Sequence, residues 1–340
     1  MAMILLLDCN YLCFRAYWTT GRQLENGTVY GFLSTLQSLR AKFAPDRIAF
    51  CFDGEGKNLR RIEYPDYKKR TNVIRSQKDV DSVLDRREVQ HQIKLLRDKH
   101  LSNLGFNNIF HRPGFEADDV IASICQAPCK GCEGRGKREQ KYLSDQADWT
   151  CDDCRGTGRD GEPKLVVSAD HDLYQLLEDD RIRMYEPSKG LLLDAAGFRE
   201  QWGIDPKLWP NVKAIAGCHS DNIPGVGGVG EKTAAKYLAH GTQTENTPKK
   251  LEKVWSKVQE KIDLVKFNLR LVRLPWEGVG TFEIREDEAT GGRWREWCEK
   301  NKMLSLIRER KSQWTPSRQS VTSSVRKRKG GTPSTLPSSQ

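Results

Sequence analysis

Three apolar runs of strand length each end in an aspartate: MILLLD at Asp8, RIAFCFD at Asp53 and LVVSAD at Asp170. Glu116, Asp118 and Asp119 stand together in GFEADDV, and Asp172 and Asp221 bring the set to eight carboxylates. Taken singly, the GFEADDV acids read as first-turn residues of a helix over Ala117–Cys125, where the helix dipole favours negative charge. Taken with the strand ends, they would crowd like charges into one small region, and such crowding requires cations. Hard oxygen donors select Mg²⁺ or Mn²⁺ over zinc. Two such ions roughly 4 Å apart can clamp the attacking and leaving oxygens of a phosphodiester displacement. No Ser-His-Asp set or other covalent nucleophile stands out.

The segment Lys57–Lys78 carries eight basic residues against two acids, with Tyr64 and Tyr67 interleaved. That mixture suits a single strand whose bases stack and whose phosphates are held, although alone it would read as a solvated basic face. Beside a metal site, Lys68 and Arg70 are candidate electrostatic stabilisers of the scissile phosphate.

A second chemistry is written in cysteine. CKGCEGRG (Cys129–Gly136) and CDDCRGTG (Cys151–Gly158) are two copies of Cys-x-x-Cys-x-Gly-x-Gly, with 18 residues between the inner cysteines. Cys129, Cys132, Cys151 and Cys154 fit one structural Zn²⁺ closed by four thiolates. The copies resemble the zinc repeats of the DnaJ chaperone family, and bracing a loop is the favoured reading of the insertion. The other six cysteines read as small buried apolar residues.

These residues need a scaffold. Strand-like runs alternate with helical stretches such as Val29–Phe43, the pattern of an α/β, doubly wound parallel sheet. Such sheets gather their sites at the carboxyl ends of strands. The expected organisation is a catalytic core over 1–204 with a zinc insertion at about 127–160. A helical DNA-binding region over 205–312 and a disordered basic tail over 313–340 follow. The chain has 340 residues and a net charge of +10, half of it supplied by that tail, so a polyanionic partner is expected. Within the tail, Arg326–Lys329 reads as a polycation for nucleic acid rather than a nuclear signal. No apolar run approaches the roughly 20 residues of a membrane helix, and Asp8 breaks the N-terminal run too early for a signal peptide.

In order along the chain, LLLDCNYLCFRAY, FCFDG, YPDYKKR, GFEADDVIA, SADHDLYQLL and GCHSDNIPGVGGVGEKTAAKYL resemble the 5′-nuclease family of bacteria and phages. That family comprises 5′→3′ exonucleases and flap endonucleases and also stands at the front of bacterial DNA polymerase I. The resemblance implies a PIN-like α/β core with two divalent-metal sites, Asp8, Asp53, Glu116 and Asp118 forming one and Asp119, Asp170, Asp172 and Asp221 the other. It places Lys68 at the base of a helical arch at about 67–89, and Arg70 near a family arginine, shifted by one residue. The implied substrate is DNA with 5′ ends or flaps, with an RNA–DNA hybrid as a second substrate. A stand-alone monomer in the cytoplasm of a bacterium or an infected cell is expected, with no membrane role.

The glycines Gly225, Gly227 and Gly230 have the spacing of a dinucleotide fingerprint, but the preceding Asn211–Gly217 reads as helix and Pro224 interrupts. Lys232 stands one place too late for a phosphate-binding loop. The remaining reading is a helix–hairpin–helix element whose amides approach duplex phosphates without reading sequence. Candidate DNA contacts are Arg61, Tyr67, Ser220, Gly225, Gly227, Gly228, Gly230, Lys232 and Thr233. The resemblance implies K⁺ on the carbonyls of this turn. It also exposes a departure: Cys218 stands where the family pattern has an aspartate, which implies a weakened second site. A flap-binding protein that no longer cuts is the rival reading that this cysteine raises.

Overall fold

In the computed structural model, residues 3–19, 21–69, 77–138, 149–241 and 248–307 are described. Strand β1 (Ile4–Asp8) continues into helix α1 (Cys9–Thr19), and helix α2 (Gly27–Phe43) leads to β2 (Arg47–Cys51). Helices α3 (Leu59–Glu63) and α4 (Gln77–Leu95) follow, and a π-turn over Leu96–His100 joins α4 to the short α5 (Leu101–Asn103). Next come β3 (Ile109–Phe110), α6 (Ala117–Cys125), the small pair β4 (Lys137–Arg138) and β5 (Trp149–Thr150), then β6 (Lys164–Val167). Strands β7 (Ile182–Glu186) and β8 (Leu191–Leu193) complete the main sheet, whose order is β3-β2-β1-β6-β7-β8.

Every pairing in that sheet is parallel except β7 with β8, so an antiparallel edge closes an otherwise parallel sheet. β1 is buried along its whole length, as a central parallel strand covered on both faces must be. Its alternate residues serve different cores. Ile4 and Leu6 pack with α6 residues such as Val120 and Ile121, while Leu5 and Leu7 pack with Phe32 and Leu33 of α2. The chain runs outward through β2 and β3, then returns to the other side of β1 as β6. The topology therefore switches between β1 and β6, where α/β sheets open a crevice at their carboxyl ends.

After β8 the chain is helical: α7 (Ala195–Trp202), α8 (Trp209–Ala216), α9 (Glu231–His240), α10 (Lys249–Glu260), α11 (Ile262–Val272) and α12 (Gly291–Lys300). Buried Asn268 of α11 donates to the carbonyls of Ala214 and Pro224 at 2.9 and 2.7 Å, fastening α11 to α8 and the glycine turn. The expected 205–312 unit does not hold together at its end. Trp294 and Trp297 of α12, with Met303 and Leu306, return to the α2 face of the sheet, where the Gln37 amide donates to the Leu306 carbonyl at 2.8 Å. The burial of two tryptophans outweighs sequence proximity there. The tail over 313–340 and the arch residues 70–76, the expected phosphate stabiliser Arg70 among them, lie outside the described residues.

Candidate active site

The carboxylates assemble at the switch point. Asp8 ends β1, and its two oxygens accept from the Ser168 hydroxyl beyond β6 (2.7 Å) and the Tyr11 amide (3.0 Å). Asp53, beyond β2, exchanges bonds with Asn10: its carboxylate accepts the Asn10 amide at 2.8 Å, and its own N–H donates to Asn10 at 3.1 Å. The other Asp53 oxygen caps the Ala117 amide at 2.9 Å, so strand β2 and helix α6 share one ligand-bearing corner. Asp170 accepts the Asp172 amide at 2.8 Å. Glu116, Asp118, Asp170, Asp172 and Asp221 line one small cavity together with Lys68.

Such crowding shows in the protonation of these groups. Burial pushes Asp8 up to about 7, against its two hydrogen bonds, with Asp53 and Asp170 adding repulsion. Burial and then Asp170 push Asp172 up to about 6. Burial, then Asp170 and Asp8, hold Asp118 well above the usual carboxylate range. The described cations nearest the cluster only partly offset this. The Lys68 ammonium donates to Glu116 at 2.7 Å, and Lys213 stands 3.0 Å from both Asp172 and Glu231.

Asp119 takes a different part. It is fully buried, its two oxygens accept from the Arg60 guanidinium at 2.6 and 2.7 Å, and one also accepts the Trp276 amide at 2.7 Å. Its other bond caps the Glu116 amide. The expectation of a metal ligand does not match this geometry: Asp119 anchors the start of α6, and thereby Glu116 and Asp118, from behind. Tyr67 departs as well. It is 3% exposed with its hydroxyl on Glu116 at 2.8 Å, so its ring faces the core and not a base.

Lys68 is held by a latch. Its φ is +47°, its amide donates to the Asp221 carbonyl at 2.9 Å, and Arg61 donates to the Tyr67 and Lys68 carbonyls. Asn222, itself in the left-handed region, donates from its side chain to the carbonyls of Asp66 (3.0 Å) and Lys69 (2.7 Å). The Tyr64 hydroxyl returns a bond to the Asn222 carbonyl. The turn after α8 and the base of the expected arch thus form one unit. Beside it, a groove of ≈ 630 Å³ is lined by Asn10, Phe14, Asp53, Lys57, Arg61, Lys68 and Arg86 among others.

The glycines divide in two. A Cβ on Gly225 would stand 2.0 Å from the Ala216 carbonyl oxygen, so this glycine lets the loop fold against the end of α8. Gly227 and Gly230 face open space, Gly228 is exposed, and exposed Lys232 stands in the first turn of α9. Thr233 is half-buried in the same turn, and exposed Ser220 meets Cys218 at 3.0 Å between side chains. Residues absent from the sequence-based site include Asn10, Arg60, Ser168, Lys213, Asn222 and Glu231. Of these, Arg60 lay in the basic segment but signalled only surface charge.

The four cysteines meet at the other end of the sheet. All four are buried, with Sγ–Sγ distances of 3.9 Å (Cys129–Cys151) and 3.6 Å (Cys132–Cys154). The two knuckles mirror each other: Cys129 N–H donates to the Gly158 carbonyl and Cys151 N–H to the Gly136 carbonyl, both at 2.9 Å. Lys164, where the insertion rejoins the sheet, pairs with Ile4. Asp8 lies four residues along β1, about 13 Å further at the usual strand rise.

Residues 3–135 match the family model described as 5′-3′ exonuclease, N-terminal resolvase-like domain. Residues 204–276 match the one described as 5′-3′ exonuclease, C-terminal SAM fold. DNA polymerase I of Mycobacterium tuberculosis is 33% identical over 247 residues, covering 69% of this chain and 23% of the polymerase. The thermostable DNA polymerase I of Thermus thermophilus is 30% identical over 265 residues, covering 76% and 26%. The chain therefore spans about a quarter of the length of the curated relatives it matches. In fold it is similar to the bacteriophage T5 D15 protein co-crystallised with metal ions, at a TM-score of 0.59 and 19% identity, covering 90% of this chain and 99% of that one. Among the described residues no helix is long and apolar enough to cross a membrane.

Proposed function

We propose, for a chain that belongs to the 5′-3′ exonuclease family, that it hydrolyses DNA phosphodiesters at 5′ ends and 5′ flaps in replication or repair, using divalent metal ions. The single observation that carries this is the carboxylate cluster at the β1/β6 switch point, set beside a basic groove. Its donor set is hard oxygen, its charges repel, and Asp172 Oδ1 is shut off from solvent without a well-directed hydrogen bond, although the Lys213 ammonium stands 3.0 Å away. Asp8, Asp53, Glu116 and Asp118, oxygen donors alone, fit Mg²⁺ or Mn²⁺ and would hold one such ion, and Asp170, Asp172 and Asp221 would contribute to a second divalent-cation site. When bound, such ions lower the pKa of a water and neutralise charge on a phosphate.

The chain's own residues do the rest. Lys68, kept charged by Glu116 against the cost of its burial, reaches the same cavity and can stabilise charge developing on the scissile phosphate. Arg61 fixes the Tyr67–Lys68 backbone and lines the groove along which a single strand would leave. Gly227, Gly228, Gly230, Lys232 and the start of α9 offer amides and positive potential to duplex phosphates. Lys57, Arg61 and Arg86 add positive charge along the groove. An RNA–DNA hybrid fits the same backbone contacts, since none reads a base. K⁺ on the turn's carbonyls belongs to the same proposal and would compete with the Lys257 ammonium for the Gly227 carbonyl.

Zinc at the four cysteines is proposed on geometry. A tetrahedral Zn²⁺ with bonds of about 2.3 Å has sulfur–sulfur edges of about 3.8 Å, which the 3.9 and 3.6 Å separations bracket. One assay tests the enzymatic reading: a 5′-flap DNA with Mg²⁺ or with EDTA, and Asp170→Ala as control. Cleavage that needs the metal and Asp170 is expected. Tight flap binding with no product under any divalent ion would leave the rival reading, a binding protein, in its place.

A further inference from the structure

Resting on the reading of this chain as a metal-dependent nuclease, we infer that its second cation site is a mixed thiolate–carboxylate site built from Cys218, Asp172 and Asp221. It selects a thiophilic divalent ion of the zinc, cobalt and cadmium class over Mg²⁺. One ligand atom from each residue lies within 4.8 Å of the others, close enough for a single ion to meet all three.

The three arrive from two rigid places. Asp172 stands in the turn that follows β6, tied through its amide to Asp170. Cys218 and Asp221 share a tight loop: Cys218 and Ile223 exchange both backbone hydrogen bonds at 2.9 Å, and the Asp221 amide donates to the Cys218 carbonyl at 3.2 Å. This bridge fixes the backbone position of Cys218. The cysteine is 8% exposed, and its sulfur stands 3.0 Å from the Ser220 hydroxyl oxygen. The Oδ1 of Asp172 is shielded from solvent and stands 3.0 Å from the Lys213 ammonium, so a divalent ion bound here would take over or share a position already occupied by positive charge.

Donor chemistry then decides which ion. Mg²⁺ demands near-octahedral oxygen ligation and keeps its waters, whereas a thiolate is a soft donor that favours zinc-like ions. On binding, the thiol loses its proton to solvent and the sulfur forms the metal bond, so charge and atoms balance. The neighbouring group of Asp8, Asp53, Glu116 and Asp118 offers oxygen alone. The centre is therefore asymmetric, with a hard site and a soft site fed by different ions.

The test uses the full chain with its four-cysteine site already loaded with zinc. Co²⁺ is titrated while the thiolate-to-cobalt charge-transfer absorption is followed in the wild type, Cys218→Ser and Cys218→Asp. The wild type should gain the band, and both variants should lack it. In parallel, flap cleavage is measured against Mg²⁺ with and without trace Zn²⁺ or Cd²⁺. Trace soft metal should stimulate the wild type and not Cys218→Asp. That variant should reach half-maximal rate at an about tenfold lower Mg²⁺ concentration, within the range seen when a metal's surroundings are altered. Identical spectra in wild type and Cys218→Ser would overturn the inference, as would identical metal dependence in wild type and Cys218→Asp. A band that disappears with Cys218, accompanied by no cleavage under any ion, would instead keep the metal site and sink the nuclease reading.

Discussion

The two ends of one sheet carry two opposite kinds of metal-binding chemistry. At the carboxyl ends of β1 and β6, oxygen donors stand partly open to a groove, repel one another and lean on Lys68 and Lys213. At the other end, four buried sulfurs stand within 4.8 Å of one another inside two knuckles that bond each other's backbones. An open, electrostatically strained set suits ions that must meet substrate. A closed set with no vacant position suits an ion that only holds structure. The difference is physical and not a matter of ligand count, and it can be broken experimentally.

The largest expected effect is at the open end. Asp118→Asn should lower flap cleavage by at least about 10³-fold, several kcal/mol of transition-state stabilisation, while leaving duplex binding near wild type. Rates on a flap substrate and fluorescence anisotropy check the two halves separately. A loss of binding equal to the loss of rate would mean that Asp118 shapes the DNA surface and not the chemistry.

Next in size is the closed end. Cys151→Ser removes one of four thiolates and should cost several kcal/mol of stability, because a structural metal's binding energy is folding energy. Cleavage per folded molecule should change little, since the insertion joins the sheet about 13 Å from Asp8. Thermal melts with and without a chelator, paired with active-site titration, check this. A catalytic defect in a fully folded Cys151→Ser protein would dissolve the contrast between the two ends.

A smaller effect should come from the latch. Asn222→Gly keeps the left-handed backbone but removes the two bonds to the Asp66 and Lys69 carbonyls. If these bonds position Lys68, kcat should fall about tenfold with KM nearly unchanged, as when an interaction made only in the transition state is lost. The same change in a Lys68→Ala background should cost almost nothing, because the double-mutant cycle removes the shared path. Equal losses in both backgrounds would show that Asn222 acts through something other than Lys68.

What was legible in the sequence follows the range of the forces involved. The span of α6 could be read residue for residue, since an apolar run begins where acids favour a helix start. The strand ends were legible for the same local reason. Asp119 was not, because its partner Arg60 is 59 positions away and no spacing announces a buried pair. Tyr67 misled through composition: an aromatic among lysines suggests stacking, yet its hydroxyl is drawn inward by Glu116. Gly225 carried a motif's spacing but serves a contact with Ala216, and α12 looked like part of the DNA-binding helices until its tryptophans found the α2 face.

The smallest effect should be visible in stability with metal removed. In EDTA, Asp8 titrates near 7 and Asp172 near 6, both pushed up by burial, whereas an unfolded aspartate titrates near about 3.9. Between those values the folded chain binds more protons than the unfolded one, so these groups make stability fall as pH rises through that window and level off above it. The ionised carboxylates that are costly in EDTA are the form that binds a divalent ion, so Mg²⁺ should raise the melting temperature more at about pH 8 than at about pH 5. Asp8→Asn should flatten the EDTA profile and shrink the gain from Mg²⁺, as measured by melting curves across pH. The four-cysteine end, being closed, should contribute the same stability to wild type and Asp8→Asn at every pH tested. A pH profile in EDTA that Asp8→Asn leaves unchanged would mean that Asp8 is not under the strain its burial implies, and the open end would be no more poised for cations than the closed one.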